Sequence, residues 1–184
     1  MLLARFHSHT IHSTSHHLDW DSSRSPVLRA TRGDEVEFRD IDAMCGQISP
    51  QTRAEELPGL DPARINPVSG PVYVEGAEPG DSVTVTLLGF ESQGWGWTAV
   101  FPDFGLLQRD FPTPAIHHWA YDRTFGQSAA YGRWAKVPLR PFCGTVGGCR
   151  GCVHALQRVR RSAYQRDRRH PELGRFVLHA ASGL

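Results

Sequence analysis

Long apolar runs are missing from this sequence. No stretch approaches the ~20 consecutive apolar residues that a membrane-spanning helix needs, and the N-terminal segment has no sustained apolar region of the kind found in secretory signals. Cysteine is also scarce, and the four thiols are more typical of reduced side chains than of a disulfide framework. We therefore expect a cytoplasmic protein that does not interact with a membrane.

Lysine is nearly absent, because the twenty cationic residues are nineteen arginines and Lys136. The formal net charge is only +1, but it is unevenly distributed. Residues 148–184 contain eight arginines and two acidic residues, so this tail carries +6 and residues 1–147 carry −5. The composition, with 40% hydrophobic and 21% charged residues among 184, is that of a soluble globular domain with its own core.

Glycine and proline punctuate the chain up to residue 147, and no segment there has the length of a regular helix. Residues 33–36 and 80–83 share the pattern Gly-Asp-x-Val, and each pattern opens an alternating segment that predicts a strand, the second over 83–87. We predict a mainly β fold, a β-sandwich or barrel-like fragment with few short helices and an irregular or partly helical C-terminal tail. The polar, histidine-rich residues 1–15 show no periodicity, and we expect them to be frayed.

The most informative stretch is NPVSGPVYVEGAEPGD, from Asn66 to Asp81, which predicts a short strand followed by a tight acidic turn. Glycines and a proline constrain this turn and can hold the carboxylates of Glu75, Glu78 and Asp81 at set angles. Clustered carboxylates suit a hard metal or a site that activates water. The spacing alone fits an ordinary acidic β-turn at least as well.

Aromatic and cysteine residues give weaker signals. Trp95 and Trp97, set between glycines, could line a small pocket, although packing in a β core is the favoured interpretation. Cys45 and Cys143 have no partner base placed by the sequence, so we interpret them as small buried residues rather than nucleophiles.

Five segments, taken in order, resemble the acetamidase/formamidase family. They are HLDWD at 17–21, DAMCGQ at 42–47, NPVSGPVYVEGAEPGD at 66–81, GWGWTAVFPDFGLL at 94–107 and PLRPFCGTVG at 138–147. Together they cover roughly residues 10–147, and several ordered matches are more specific than any single motif. The resemblance implies a β-rich fold, hydrolysis of short amides such as formamide to ammonia and carboxylate, and a metal-dependent, multimeric enzyme.

The candidate residues suit this chemistry. An amide carbonyl is a poor electrophile, and a divalent metal, with zinc as first choice, can polarise it and activate a water. A carboxylate can then carry the proton to the leaving amine. The metal candidates are His17, Asp42, Glu75 and Asp81, the catalytic candidates are Glu75 and Asp42, and the substrate-binding candidates are Gln47 and Trp97. A structural role remains open for His17, beside Trp20, and for Asp81.

The arginine-rich tail does not match the family as written. We therefore interpret residues 1–147 as the N-terminal part of an acetamidase/formamidase-like domain and residues 148–184 as a non-family tail. Codons can be chosen for residues 166–174 such that a one-nucleotide shift reads Gly-Thr-Ala-Asp-Ile-Arg-Asn-Leu, close to a family segment that is otherwise missing. The hypothesis that follows is a slip of the reading frame near Gly147 or Gly148, which would give a truncated and impaired enzyme.

Other functions remain open beside the amidase. The chain could be a non-catalytic β-domain remnant, and the basic tail could bind nucleic acid, although a solvated tail is favoured. Cys149 and Cys152, with His154, resemble part of a zinc-binding ligand set, but the sequence has no second ligand pair at the spacing of a zinc finger. The expected partner is a small amide substrate, while a homo-oligomer is implied by the family and left open for this chain.

Overall fold

The computed structural model describes residues 7–19, 21, 23–77, 83–122, 128–148 and 175–179. These ranges form eleven strands and two short 3-10 helices, Ala54–Gly59 and Pro62–Arg64, so the prediction of a mainly β fold is confirmed. No helix in them has the length and hydropathy to span a membrane. The strands are β1 Ser8–Ile11, β2 His16–His17, β3 Leu28–Ala30, β4 Glu35–Phe38, β5 Val68–Val74, β6 Trp95–Val100, β7 Ala115–Ala120, β8 Ala129–Tyr131, β9 Ala135–Val137, β10 Thr145–Gly148 and β11 Arg175–His179.

The first of two compact units comprises the described parts of residues 1–41, 66–86 and 143–181. Its main sheet has the order β10-β11-β5-β2, and β3 pairs in parallel with β5. The first five residues of β5 are all buried, as is typical of a central strand that is covered on both faces. β1 and β4 form a separate parallel pair, and Ile11, Ala30 and Val72 build the hydrophobic core beside them.

The second unit comprises the described parts of residues 42–65 and 87–142. β6 pairs antiparallel with β7, and β8 pairs antiparallel with β9. Its core is built by Met44, Ile48 and Leu57, against which partly buried residues such as Trp97 and Ile116 pack. The position of the Trp97 ring therefore agrees with the prediction that this aromatic segment packs in a β core.

Two local predictions are wrong. Residues 83–87 form no strand, and Val85 and Leu87 are exposed, because an alternating pattern becomes a strand only when another strand pairs with it. Residues 8–11, which we expected to be frayed, form β1, because β4 pairs with them from Ser8 opposite Glu35 to Ile11 opposite Phe38. The tail enters the sheet as β11, while the cysteine pair at 149–152 lies outside the described residues.

Candidate active site around His17

His17 is positioned by the central sheet of the first unit. The two residues of β2 pair antiparallel with the start of β5, so that His16 lies opposite Ser69 and His17 opposite Val68. The His17 side chain is buried, with 6% of its surface exposed. A buried imidazole in a short strand is held firmly, which suits a ligand or a proton carrier as well as a structural histidine.

The chain directly after β2 folds into a turn held by its acidic residues. Arg24 donates two hydrogen bonds to Asp19, from Nε to Oδ1 at 2.7 Å and from Nη2 to Oδ2 at 3.0 Å. Oδ1 of Asp21 accepts bonds from the amide of Ser23 at 2.8 Å and from its hydroxyl at 2.7 Å. Asp21 therefore stabilises the turn, as acidic residues in turns commonly do, and the bonds to Asp19 hold Arg24 near His17.

A cavity of about 240 Å³ opens beside this turn. Its walls include His17, Arg24, Ser25 and Pro71. The full lining combines two imidazoles, one guanidinium and two serine hydroxyls with apolar surface, which is the mixture that small-molecule sites use. The cavity is of a size that suits a small polar molecule.

The electrostatics of the cavity favour a neutral imidazole. Burial lowers the pKa of His17 below 6.5, and the positive charge of Arg24 lowers it further, while Asp19 and Asp21 act in the opposite direction. At neutral pH the ring therefore carries a lone pair, which can bind a metal or accept a proton.

Glu75 lies at the other end of β5 from His17. Because strand residues rise about 3.3 Å each, the seven positions from Val68 to Glu75 separate the two sites by roughly 20 Å. The Glu75 carboxylate is 42% exposed and accepts a hydrogen bond of 2.9 Å from Nη1 of Arg29. The structure does not bring Glu75 and His17 together within the first unit.

Asp42 and Trp97 are brought together in the second unit. The indole Nε1 of Trp97 donates a hydrogen bond of 2.9 Å to Oδ2 of Asp42, and Oδ1 of Asp42 accepts the Gly46 amide. Both oxygens of this candidate ligand therefore hold structural bonds.

The side-chain amide of Gln47 forms hydrogen bonds with nearby backbone groups. Its Nε2 donates to the carbonyls of Met44 at 3.0 Å, Asp61 at 3.2 Å and Arg64 at 3.3 Å, and its Oε1 accepts the Asp61 amide at 2.8 Å. Both ends of the Gln47 amide are therefore hydrogen-bonded to the backbone. Asp81, the remaining candidate, lies outside the described residues.

The prediction of buried cysteines is confirmed for Cys45 and only partly for Cys143. Cys45 is buried and Cys143 is partly buried. Burial raises the pKa of the Cys143 thiol, and the charge of Asp40 raises it further. A raised pKa keeps the sulfur protonated, which disfavours it as a nucleophile.

One group of possible metal ligands was missed by the sequence analysis. A metal site needs several His, Cys, Asp or Glu side chains whose ligand atoms lie close together. Among the described residues, the only group of at least three such side chains consists of His7, His9 and Asp34. His17, Asp42 and Glu75 belong to no such group there, so they do not by themselves assemble the proposed ligand set. The His-x-His spacing of His7 and His9 indicates such a group only if the segment is a strand, and residues 1–15 were expected to be frayed.

The chain has relatives of known sequence and structure. The acetamidase/formamidase family model matches residues 6–170. A formamidase from Methylophilus methylotrophus is 29% identical over 144 residues, which cover 74% of this chain and 34% of that protein. An acetamidase from Mycolicibacterium smegmatis is 28% identical over 95 residues, covering 46% and 23% respectively. The crystal structure of an acetamidase from Bacillus halodurans aligns with a TM-score of 0.69 at 25% identity, covering 77% of this chain and 46% of that one.

The relatives carry the names formamidase and acetamidase, and the family model covers most of this chain. The chain belongs to the acetamidase/formamidase family, since the match spans most of its length. This confirms the resemblance drawn from the five ordered segments. The chain spans about a third of the length of the formamidase and less than half of the solved acetamidase.

Proposed function

We propose that this chain is part of a hydrolase that cleaves the carbon–nitrogen bond of short linear amides. Formamide or acetamide would yield ammonia and a carboxylate. The observation that carries the proposal is the family match over residues 6–170, supported by relatives named formamidase and acetamidase. We propose the cytoplasm as its compartment, and on the family resemblance we propose a homo-oligomer as its assembly.

The cavity beside His17 is the proposed substrate site of the first unit. His17 is buried with a lowered pKa, so its neutral ring can accept a proton or a hydrogen bond from the amide or from water. Arg24 brings positive charge to the same cavity. Positive charge near the carbonyl oxygen favours the negative charge that develops there when the amide is attacked.

The proposed divalent cation, zinc for preference, would supply a polarised carbonyl and a water of low pKa. Of the four proposed ligands, His17 suits that role best, because it is buried and neutral. Glu75 would have to leave Arg29, and Asp42 would have to give up the bond from Trp97. Because the described residues do not assemble this ligand set, we assign no step of the reaction to a metal. Asp42, Glu75 and Asp81 stay proposed as ligands or proton carriers, and Gln47 and Trp97 as substrate contacts.

A non-catalytic β-domain is the second candidate function. It is favoured by the separation of His17 from Glu75 along β5 and by the exposed ion pair of Glu75 with Arg29. The first unit would then keep the family sheet and cavity without turnover. We also propose that this chain, if it is active, is an impaired enzyme.

An ammonia-release assay separates these two functions. The chain is incubated with formamide and acetamide, with and without a chelator, and compared with the variants His17→Gln and His12→Gln. His12 is an exposed histidine outside the cavity wall and serves as the matched control. The proposal expects ammonia release that His17→Gln abolishes and His12→Gln leaves unchanged.

The other outcomes also decide between the functions. Absence of ammonia from a chain that unfolds cooperatively supports the non-catalytic domain. Ammonia release that is equal in both variants contradicts the assignment of the site to His17. A loss on chelation that returns with added zinc supports the metal-activated water.

A further inference from the structure

We propose that His7, His9 and Asp34 form a binding site for a divalent first-row transition metal, with zinc as its expected ion, at the edge formed by β1 and β4. This site is separate from the cavity beside His17 and from the four ligands proposed for catalysis. It does not depend on the proposed amidase function.

Strand geometry brings the three residues together. His7 and His9 are two positions apart, so in an extended chain their side chains point to the same face. β1 pairs in parallel with β4, with Ser8 opposite Glu35, and the amide of Glu35 extends the pairing by donating to the His7 carbonyl at 2.9 Å. Asp34 immediately precedes β4, and it therefore lies beside the two histidines.

The carboxylate of Asp34 is held in place before any ion binds. Oδ2 accepts bonds from the amide of Thr31 at 2.8 Å and from its hydroxyl at 2.9 Å, and Oδ1 accepts the His7 amide at 3.0 Å. The side chain is only 3% exposed. The bonds from the Thr31 and His7 amides lower the pKa of this carboxyl far below its usual value, so a fixed negative charge faces the histidines.

The ring nitrogens of both histidines face this carboxylate at distances longer than those of good hydrogen bonds. Nδ1 of His7 lies 3.5 Å from Oδ1, and Nε2 of His9 lies 3.5 Å from Oδ2. Nε2 of His9 is buried, and its 3.5 Å contact with Asp34 is too long for a good hydrogen bond, which is unusual for a buried polar atom. A metal ion would satisfy that lone pair.

The distances and the donor types indicate the kind of ion. The three ligand atoms lie within 4.8 Å of one another, and donors about 2 Å from a tetrahedral zinc are roughly 3.3 Å apart, so small side-chain rotations suffice. Two imidazole nitrogens and one carboxylate oxygen favour zinc and its first-row neighbours over calcium or magnesium. Such an ion would connect β1 to the turn before β4 and stabilise the N-terminal strand.

This site is tested by measuring zinc binding to the full chain, prepared without a histidine tag. Calorimetric titration with zinc chloride is compared between the wild type, His9→Gln and His12→Gln, all in a background of Cys149→Ser, Cys152→Ser and His17→Gln that removes the two other zinc sets named above. Replacing groups that only support a ligand already costs about 10- to 100-fold in affinity. We therefore expect His9→Gln to lose at least about 10-fold and His12→Gln to match the wild type.

A second measurement guards against loss of fold in the variants. Zinc should raise the melting temperature of the wild type and of His12→Gln, and it should leave that of His9→Gln unchanged. Asp34→Asn keeps oxygen and shape but removes the charge, so it should weaken zinc binding as well. Zinc affinity that is equal in wild type, His9→Gln and Asp34→Asn, or no zinc binding by a cooperatively folded wild type, would overturn the proposal.

Discussion

The indole nitrogen of Trp97 donates a hydrogen bond of 2.9 Å to the carboxylate of Asp42. The bond joins β6 to the start of the segment 42–65, and the Trp97 ring packs against the core of Met44, Ile48 and Leu57. Two residues proposed for catalysis and substrate binding thus have a structural connection that does not depend on any ligand.

Trp97→Phe is expected to destabilise the protein. Phenylalanine keeps an aromatic ring but cannot donate to Asp42, and a hydrogen bond to a charged group contributes about 1.5–3 kcal/mol. The free energy of unfolding in urea measures the loss. Trp95→Phe, at a half-buried position of the same strand, is the matched control and should cost less. Equal losses in the two variants would contradict a structural role for the bond.

Gln47→Ala is expected to lower stability by about 1–3 kcal/mol, because backbone groups of Met44, Asp61 and Arg64 lose their partner. Gln51→Ala replaces an exposed glutamine nearby and should have almost no effect. Urea denaturation of both variants gives the comparison. A Gln47→Ala variant with unchanged stability, but with weaker binding of formamide, would instead support the proposed substrate contact.

Glu75→Gln distinguishes a surface ion pair from a catalytic carboxylate. Both Glu75 and Arg29 are exposed, and exposed ion pairs contribute little to stability. We expect a shift of the urea midpoint no larger than that of Glu37→Gln, which breaks the comparable exposed pair with Arg39. If Glu75 is catalytic in an active chain, its variant alone should lose ammonia release while its stability stays that of Glu37→Gln.

The buried His17 is expected to make stability depend on pH. Its pKa is lowered in the folded state, so the unfolded chain binds the proton more tightly. The contribution of the neutral ring is therefore present above about pH 6.5, the unfolded value, and is lost as the pH falls through the folded pKa.

Urea unfolding at neutral pH and at pH values below 6.5 checks this dependence. The wild type and His12→Gln should lose stability on acidification, and His17→Gln should lose less. A His17→Gln variant whose pH profile is identical to that of the wild type would show that the ring is not buried in its neutral form.

The sequence predicted the class of fold and the family, because β-forming segments, glycine turns and ordered motifs are local features. It did not predict which strands pair. β1 is polar except for Ile11, and it becomes a strand only because β4, more than twenty positions away along the chain, pairs with it. Residues 83–87 have the better strand pattern but pair with no strand in the part of the chain that the structure describes.

The candidate site shows the same limit. The acidic turn at Glu75 was predicted, but the sequence could not show that Arg29 would bind its carboxylate or that β5 would hold His17 at the opposite end. The converging group of His7, His9 and Asp34 depends on the β1–β4 pairing and was missed for that reason.

The central claim is that the cavity beside His17 binds the amide, and binding can be measured even if turnover is slow. Formamide is titrated into the chain with labelled histidine, and the imidazole resonances are followed by nuclear magnetic resonance. We predict a saturable shift of the His17 signals with no change at His12. A His17 resonance that does not move, or that moves only in proportion to the His12 signal without saturating, would contradict the assignment.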